Sequence, residues 1–249
     1  MKLDMVKEIN LKVDAKYFGS WGCTEVFKEG KNIIYWSFVE KETYHNYLYN
    51  FSCLNCLGYV VKSVTSDKHG SLISSFKTMN LGKNIPHQYC LVHIQRRCQT
   101  LLTKNPETGA GKDLLRIVLY INQIKTIKEK EVFIKWLNIY ETRHQDFISQ
   151  RTYSTESNSS KKWWYTHKNV RKAFRHLKSS IPNMFHYLDD ERIPKDTNGL
   201  EAEFTHLKTK MNRHRGLTNN RKRNMVDWYW YLKSIYSKNT DQIPTRNVN

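Results

Sequence analysis

The hydrophobic pattern changes period along the chain, and each change marks an element. Residues 9–18, INLKVDAKYF, alternate apolar and polar side chains around a central acid, Asp14, and predict a strand. Residues 21–28 (WGCTEVFK) and 32–40 (NIIYWSFVE) are rich in β-branched and aromatic residues, with the turn sequence EGKN between them. With the first strand they predict an antiparallel meander. From 42 to 58 the period becomes helical, because Tyr44, Leu48, Phe51, Leu54 and Leu57 follow steps of three and four. YVVKSVTSD, an apolar run ending in Asp67, predicts a buried parallel strand. A short helix is expected from about Ser71, then a buried strand at HQYCLVH and a helix at IQRRCQTLLT. Strands whose first members pair directly and whose later members cross over through helices build a mixed α/β sheet.

Residues 113–187 read differently. KDLLRIVLYINQIKTIKEKEVFIKWLNIYETRHQDFI and WWYTHKNVRKAFRHLKSSIPNMFHYL are helical in period, and the polar loop TYSTESNSSKK joins them. After DDERIPKDTN a helix carries Leu200, Phe204, Leu207 and Met211 as its buried seam, and RNMVDWYWYLKSIY is a last long helix. The expected organisation is a catalytic core from 1 to 112, an all-α insertion from 113 to 190, core helices from 191 to 236, and a flexible tail from 237 to 249.

Charge narrows the partners. The 249 residues carry a formal net charge of +18, which points to a polyanion, nucleic acid first. No apolar run of 18 residues and no signal-peptide pattern occurs, so a soluble protein with no membrane partner is expected. Five cysteines, an odd number in a chain of this size, predict free thiols or a metal site over a disulfide framework.

Two acids stand where such a sheet does chemistry. Asp14 lies in the first strand, and Asp67 lies at the carboxyl end of the fourth, the edge at which open α/β sheets bind ligands. If those strands are neighbours the two carboxylates converge, and their repulsion favours a hard divalent cation such as Mg²⁺. The bland alternatives are a solvent-facing acid on an edge strand for Asp14 and a helix N-cap for Asp67. A third acid would come from DTNGLEAEF. Glu201 fits a capping box with Asn198, Glu203 fits an ordinary first-turn acid, and periodicity does not choose between them.

LKVDAKYF, VTSDKHGSL, YCLVHIQR and DTNGLEAEFTHLKTKMNRHRGL, in this order over residues 9–235, resemble the DDE transposases of the IS256 and Mutator-like group. The resemblance implies an RNase H-like fold and a triad of Asp14, Asp67 and Glu201, the glutamate four positions after Thr197. It implies two Mg²⁺ or Mn²⁺ ions, DNA cleavage and strand transfer, element ends and target DNA as partners, and a homodimer or higher assembly on DNA. The site of action would be the nucleoid in a prokaryote and the nucleus in a eukaryote. It also implies a DNA-binding region ahead of the catalytic strand. Only 13 residues precede Asp14, so a catalytic domain without that module is expected. The sequence around Glu201 suits a divergent subgroup.

Other features are read beside the resemblance. Cys90 and His93 have metal-ligand spacing, and the resemblance implies that they organise the junction behind the active site. Cys53 and Cys56 read as buried packing on one helix, and Trp136 as core of an amphipathic helix. Trp163 or Trp164 is the candidate for stacking on DNA. Lys208, Lys210, Arg213, Arg215, Arg221, Lys222 and Arg223 form a candidate phosphate-binding cluster. An inactive nucleic-acid-binding remnant and a nuclease of the same fold are the rival functions.

Overall fold

The structure, a computed structural model, describes residues 6–155, 162–214 and 216–240, the last four of these as backbone only. The chain forms two compact units. One comprises the chain up to Gln88 and from Arg192 onward, and the other comprises Tyr89–Glu191.

The first unit is built on a five-stranded mixed sheet in the order β3-β2-β1-β4-β5. Its strands are β1 (Lys7–Tyr17), β2 (Cys23–Glu29), β3 (Asn32–Val39), β4 (Tyr59–Ser66) and β5 (His87–Tyr89). β1 pairs antiparallel with β2 and parallel with β4, and β2 pairs antiparallel with β3. The expected α/β sheet is therefore present, with β1 inside it. Alternation along β1 feeds two cores. Ile9, Leu11 and Val13 face α1 (Tyr44–Cys56) and α2 (Gly70–Met79), where they meet Tyr47, Phe51, Leu54, Leu72 and Phe76. On the other face Val26, paired with Asp14, packs with Leu200, Phe204 and Leu207 of α7 (Asn198–Asn212) and with Val226 and Trp230 of α8 (Asn219–Thr240). Each fully buried aliphatic side chain there contributes about 1.5–3 kcal/mol.

The tip joining β1 to β2 is a short 3-10 turn, Gly19–Trp21, closed by Phe18 N–H donating to Gly22 O at 2.9 Å. Gly22 has φ +137°, and a Cβ there would lie 2.6 Å from the Phe38 ring and 2.8 Å from Val39 O. Gly22→Ala is expected to cost about 1–3 kcal/mol in backbone strain alone, and the clash adds to it. A melting temperature lower by about 5 °C or more in a thermal scan is the expected result, and an unchanged one contradicts this account of the tip.

The second unit is mainly helical. It contains α3 (Leu91–Leu102), α4 (Gly109–Tyr120), α5 (Ile127–Ser149) and α6 (Lys168–Lys178). α5 opens with a capping box between Thr126 and Glu129 and buries Phe133, Leu137 and Tyr140, with Tyr140 against Phe174 of α6.

Several expectations fail here. The block read as all-α contains a hairpin, β6 (Arg151–Tyr153) paired antiparallel with β7 (Trp163–Tyr165). Each strand has three residues, too few for alternation to register beside a 23-residue helix. Cross-strand pairs hold it, Thr152 opposite Trp164 and Tyr153 opposite Trp163. The strand expected through HQYCLVH stops at Tyr89, because Cys90 is the N-cap of α3 and His93 lies in its first turn. Trp136 is 42% exposed on α5 instead of in the core, while Cys53 is half-buried and Cys56 exposed. All five cysteines are free. The part of the expected tail at 237–240 continues α8, and the rest lies outside the described residues.

Candidate active site

Register brings the first two acids to the same end of neighbouring strands. Val13 pairs with Ser66 as the last step of the parallel β1–β4 ladder, so Asp14 and Asp67 each follow that step at the same end of neighbouring strands. Neighbouring strands lie about 4.8 Å apart, and residues matched across them share a face. Asp14 faces the α7 side of the sheet, as does its antiparallel partner Val26. Asp14 is 7% exposed in an interior strand, which removes the solvent-facing edge alternative. Its Oδ1 accepts the Ala15 N–H at 2.8 Å. Asp67 is half-buried, and its Oδ1 accepts the His69 N–H at 3.2 Å just before α2. The N-cap of α2 is His69, so the carboxylate of Asp67 forms a local turn and does not cap the helix.

Two threonine hydroxyls fasten the returning chain over these strand ends. Thr65 Oγ1 donates to Pro194 O at 2.6 Å, and Thr197 Oγ1 donates to Asp14 Oδ2 at 3.2 Å. Thr197 is fully buried and is the N-cap of α7, with its hydroxyl turned to Asp14 instead of to the helix. The capping box suggested by Asn198 and Glu201 does not form, because Asn198 is already helical and its N–H bonds Asp196 Oδ1 at 3.0 Å. Thr65 did not stand out in the sequence, and Thr197 served there only as the landmark that fixed Glu201. Strand parity places Thr65 on the same face as Asp67, and Thr197 immediately precedes α7, which are the signals that could have found them.

The two glutamates of α7 part company. Glu203 accepts from Tyr229 Oη at 2.8 Å and pairs with Lys233 Nζ at 2.9 Å, both on α8. Burial alone would raise its pKa, but the bonds from Lys233 and Tyr229 and the charges of Lys233 and Lys28 hold it below the ordinary glutamate range. Glu203 is thus committed to the α7–α8 contact. Glu201 is half-buried in the first turn of α7, one turn after the Thr197–Asp14 bond. Among the described residues no group of three or more His, Cys, Asp or Glu is gathered closely enough to hold one ion. Asp14 and Asp67 carry oxygen donors, the ligand type that Mg²⁺ takes together with waters and substrate phosphate.

The remaining candidates lie on several elements. Cys90 and His93 belong to the second unit, Cys90 being 1% exposed. Lys208, Lys210 and Arg213 follow Glu201 on or just past α7, and Arg221, Lys222 and Arg223 begin α8. Lys222 lies over the Trp21 ring at 6.0 Å and Arg223 over Phe38 at 5.3 Å. Arg215 lies outside the described residues. Trp163 and Trp164 are on the hairpin of the second unit, 38% and 39% exposed, with the Arg151 guanidinium 4.2 Å from the Trp163 ring. Among the described residues no helix is long and apolar enough to cross a membrane.

No curated protein matches this chain. The family model described as "Transposase IS66 family" matches residues 59–221, a span that opens with β4 and holds Asp67, Thr197 and Glu201, with Asp14 ahead of it. The match is to that family and not to the IS256 and Mutator-like group whose motifs the sequence resembles. The matched span is well over half of the chain, which therefore belongs to the IS66 family of transposases.

Proposed function

We propose that the chain is the catalytic part of a DDE transposase, with Asp14, Asp67 and Glu201 as its acids. The observation that carries this reading is the register that puts Asp14 and Asp67 at the same end of neighbouring strands, with Thr197 bonded to Asp14 at the start of the helix bearing Glu201. The strand order, with three antiparallel strands followed by a fourth parallel to the first, supports an RNase H-like core. The all-oxygen donor set suits Mg²⁺ or Mn²⁺, and two such ions would supply Lewis-acid stabilisation of the charge that develops in phosphoryl transfer. Asp14 and Asp67 bring negative charge to the strand ends, and Thr197 holds the Asp14 carboxylate in orientation. The half-buried Glu201 adds a third carboxylate from α7. The lysines and arginines after Glu201 bind the DNA backbone, which positions the strand without reading its sequence.

In this reaction water attacks a phosphodiester and frees a 3′-hydroxyl, and that hydroxyl then attacks a target phosphodiester. Purified protein on pre-nicked element ends with Mg²⁺ tests the proposal, with cut and joined products expected. Cutting without joining would make the protein a nuclease, and binding alone would make it a remnant.

In the second unit, the hairpin offers a stacking surface. Neighbouring residues of a strand point to opposite faces. The ring of Trp163 already carries Arg151, so Trp164 is the ring open to a base. Trp164→Ala is expected to weaken single-stranded DNA binding by about 1–3 kcal/mol, and Trp163→Ala by less. Fluorescence anisotropy with a short oligonucleotide checks the order, and a larger loss for Trp163→Ala reverses it.

A further inference from the structure

A cleft of about 430 Å³ opens at the tip of the β1–β2 hairpin, on the side of the sheet that carries Asp14. Its walls include Phe18 and Trp21 from the tip, Lys16 from β1, Lys208 from α7 and Lys222 from α8. Phe18 and Trp21 stack at 5.0 Å, and Trp21 stacks on Phe38 at 5.2 Å. The stack packs against the α7–α8 core along one side, and the closed turn before Gly22 holds it there. Trp21 and Phe18 keep part of their surface in the cleft, both being half-buried. Among the described residues the three lysines have no carboxylate partner, although carboxylates elsewhere on this unit are paired with lysine. Three unneutralised ammonium groups around an aromatic wall make a site for an anion attached to a planar ring.

Position says which anion. Lys16 follows Asp14 by two residues on the same face of β1, a rise of about 7 Å. Lys208 follows Glu201 by seven residues, nearly two full turns, so it lies on the same side of α7 about 10 Å further along. Both measures lead from the acids toward the cleft, and they equal two or three nucleotide rises of about 3.4 Å.

Resting on the reading of the acids as a DNA-cutting site, we infer that this cleft holds one nucleotide of the bound DNA strand, two or three positions from the phosphate at Asp14. Its base lies against Trp21 and Phe18, and its phosphate is met by Lys16, Lys208 and Lys222. Stacking accepts any base, so the cleft grips the strand without selecting sequence. It sets how far the strand advances past the acids.

The test uses the whole chain and a duplex with a six-nucleotide 3′ extension carrying 2-aminopurine at each position in turn. One position, two or three nucleotides from the end, is expected to show fluorescence quenching on binding. Trp21→Leu should abolish that quenching and weaken binding about tenfold. Removing the base at that position should weaken wild-type binding about as much, yet weaken Trp21→Leu no further. Lys208→Glu, an exposed change on α7 that spares the core, should also remove the quenching, which covers the case in which Trp21→Leu does not fold. Quenching spread over all positions, or quenching at one position that persists in the variants, overturns the inference while leaving DNA binding intact. A wild-type chain with no salt-dependent affinity for DNA would instead overturn the reading on which it rests.

Discussion

Asp14→Asn and Asp67→Asn should each reduce Mg²⁺-dependent DNA cleavage by about a thousandfold or more, while DNA affinity stays within about twofold. The rate loss corresponds to about 4 kcal/mol, the several kcal/mol that charge stabilisation by a bound divalent ion contributes in the transition state. Asparagine keeps the shape of aspartate and can still accept from Thr197 Oγ1 or from the Ala15 N–H, so the fold around β1 should hold. It removes the negative charge that, on the proposed reading, would gather a hard cation at neighbouring strand ends. On the proposed reading affinity has a separate source, the lysines and arginines of α7 and α8, whose release of counterions would depend on salt and not on the two aspartates. Cleavage of a pre-nicked end and binding of the same end, measured side by side, check both halves. Full activity of either variant removes that aspartate from the site.

Glu25→Gln should have the largest effect on stability, and it should stabilise. Glu25 lies on β2 on the α1 face of the sheet, fully buried. Asn50 Nδ2 donates to its Oε2 at 2.6 Å and also to Ser37 Oγ at 2.9 Å, while Glu25 Oε1 has no partner. Glu42 stands nearby and accepts from Tyr47 Oη. Burial first, and the Glu42 charge second, push the Glu25 pKa up from 4.5 to about 8. The folded chain therefore keeps a proton that the unfolded chain releases above pH 4.5, and folding loses stability as pH climbs from there toward 8. Below 4.5 both states hold the proton and the group adds no pH dependence. Glutamine keeps an acceptor for Asn50 and has no charge to bury. The variant should be more stable by on the order of 4 kcal/mol at pH 8 and by under about 1 kcal/mol at pH 5. Urea unfolding at the two pH values checks this, and a difference that does not grow with pH contradicts a buried, protonated Glu25.

The residues that made the sheet legible are those whose period is long enough to count. The ten residues around Asp14 and the run ending in Asp67 alternate or stay apolar over a whole strand, and both form strands of the mixed sheet. Leu200, Phe204 and Leu207 of the expected seam span two turns and are buried, while Met211, expected with them, is half-buried. Short or two-sided features carried no such signal. Of the three-residue strands, Arg151–Tyr153 falls at the polar loop after the long helix and Trp163–Tyr165 at the head of the next helical segment, and neither is long enough to show a strand period. Trp136 has the spacing of a core residue, yet its position on α5 leaves it 42% exposed. Glu201 and Glu203 flank the same seam symmetrically, and only the fold shows that α8 takes Glu203 through Tyr229 and Lys233. Thr197 reaches Asp14 across 183 residues, a contact that no local pattern encodes.

The central claim is that the third acid is Glu201, placed by the Thr197–Asp14 bond, and that Glu203 serves the helix contact. Joining of a pre-cut 3′ end to target DNA, with Mg²⁺, should be measured for Glu201→Gln and Glu203→Gln in parallel. The account predicts no joined product for Glu201→Gln. For Glu203→Gln it predicts joining near the wild-type level, with a modest loss of stability from the weakened Tyr229 and Lys233 contacts. Joining by Glu201→Gln, together with an inactive and folded Glu203→Gln, would contradict it.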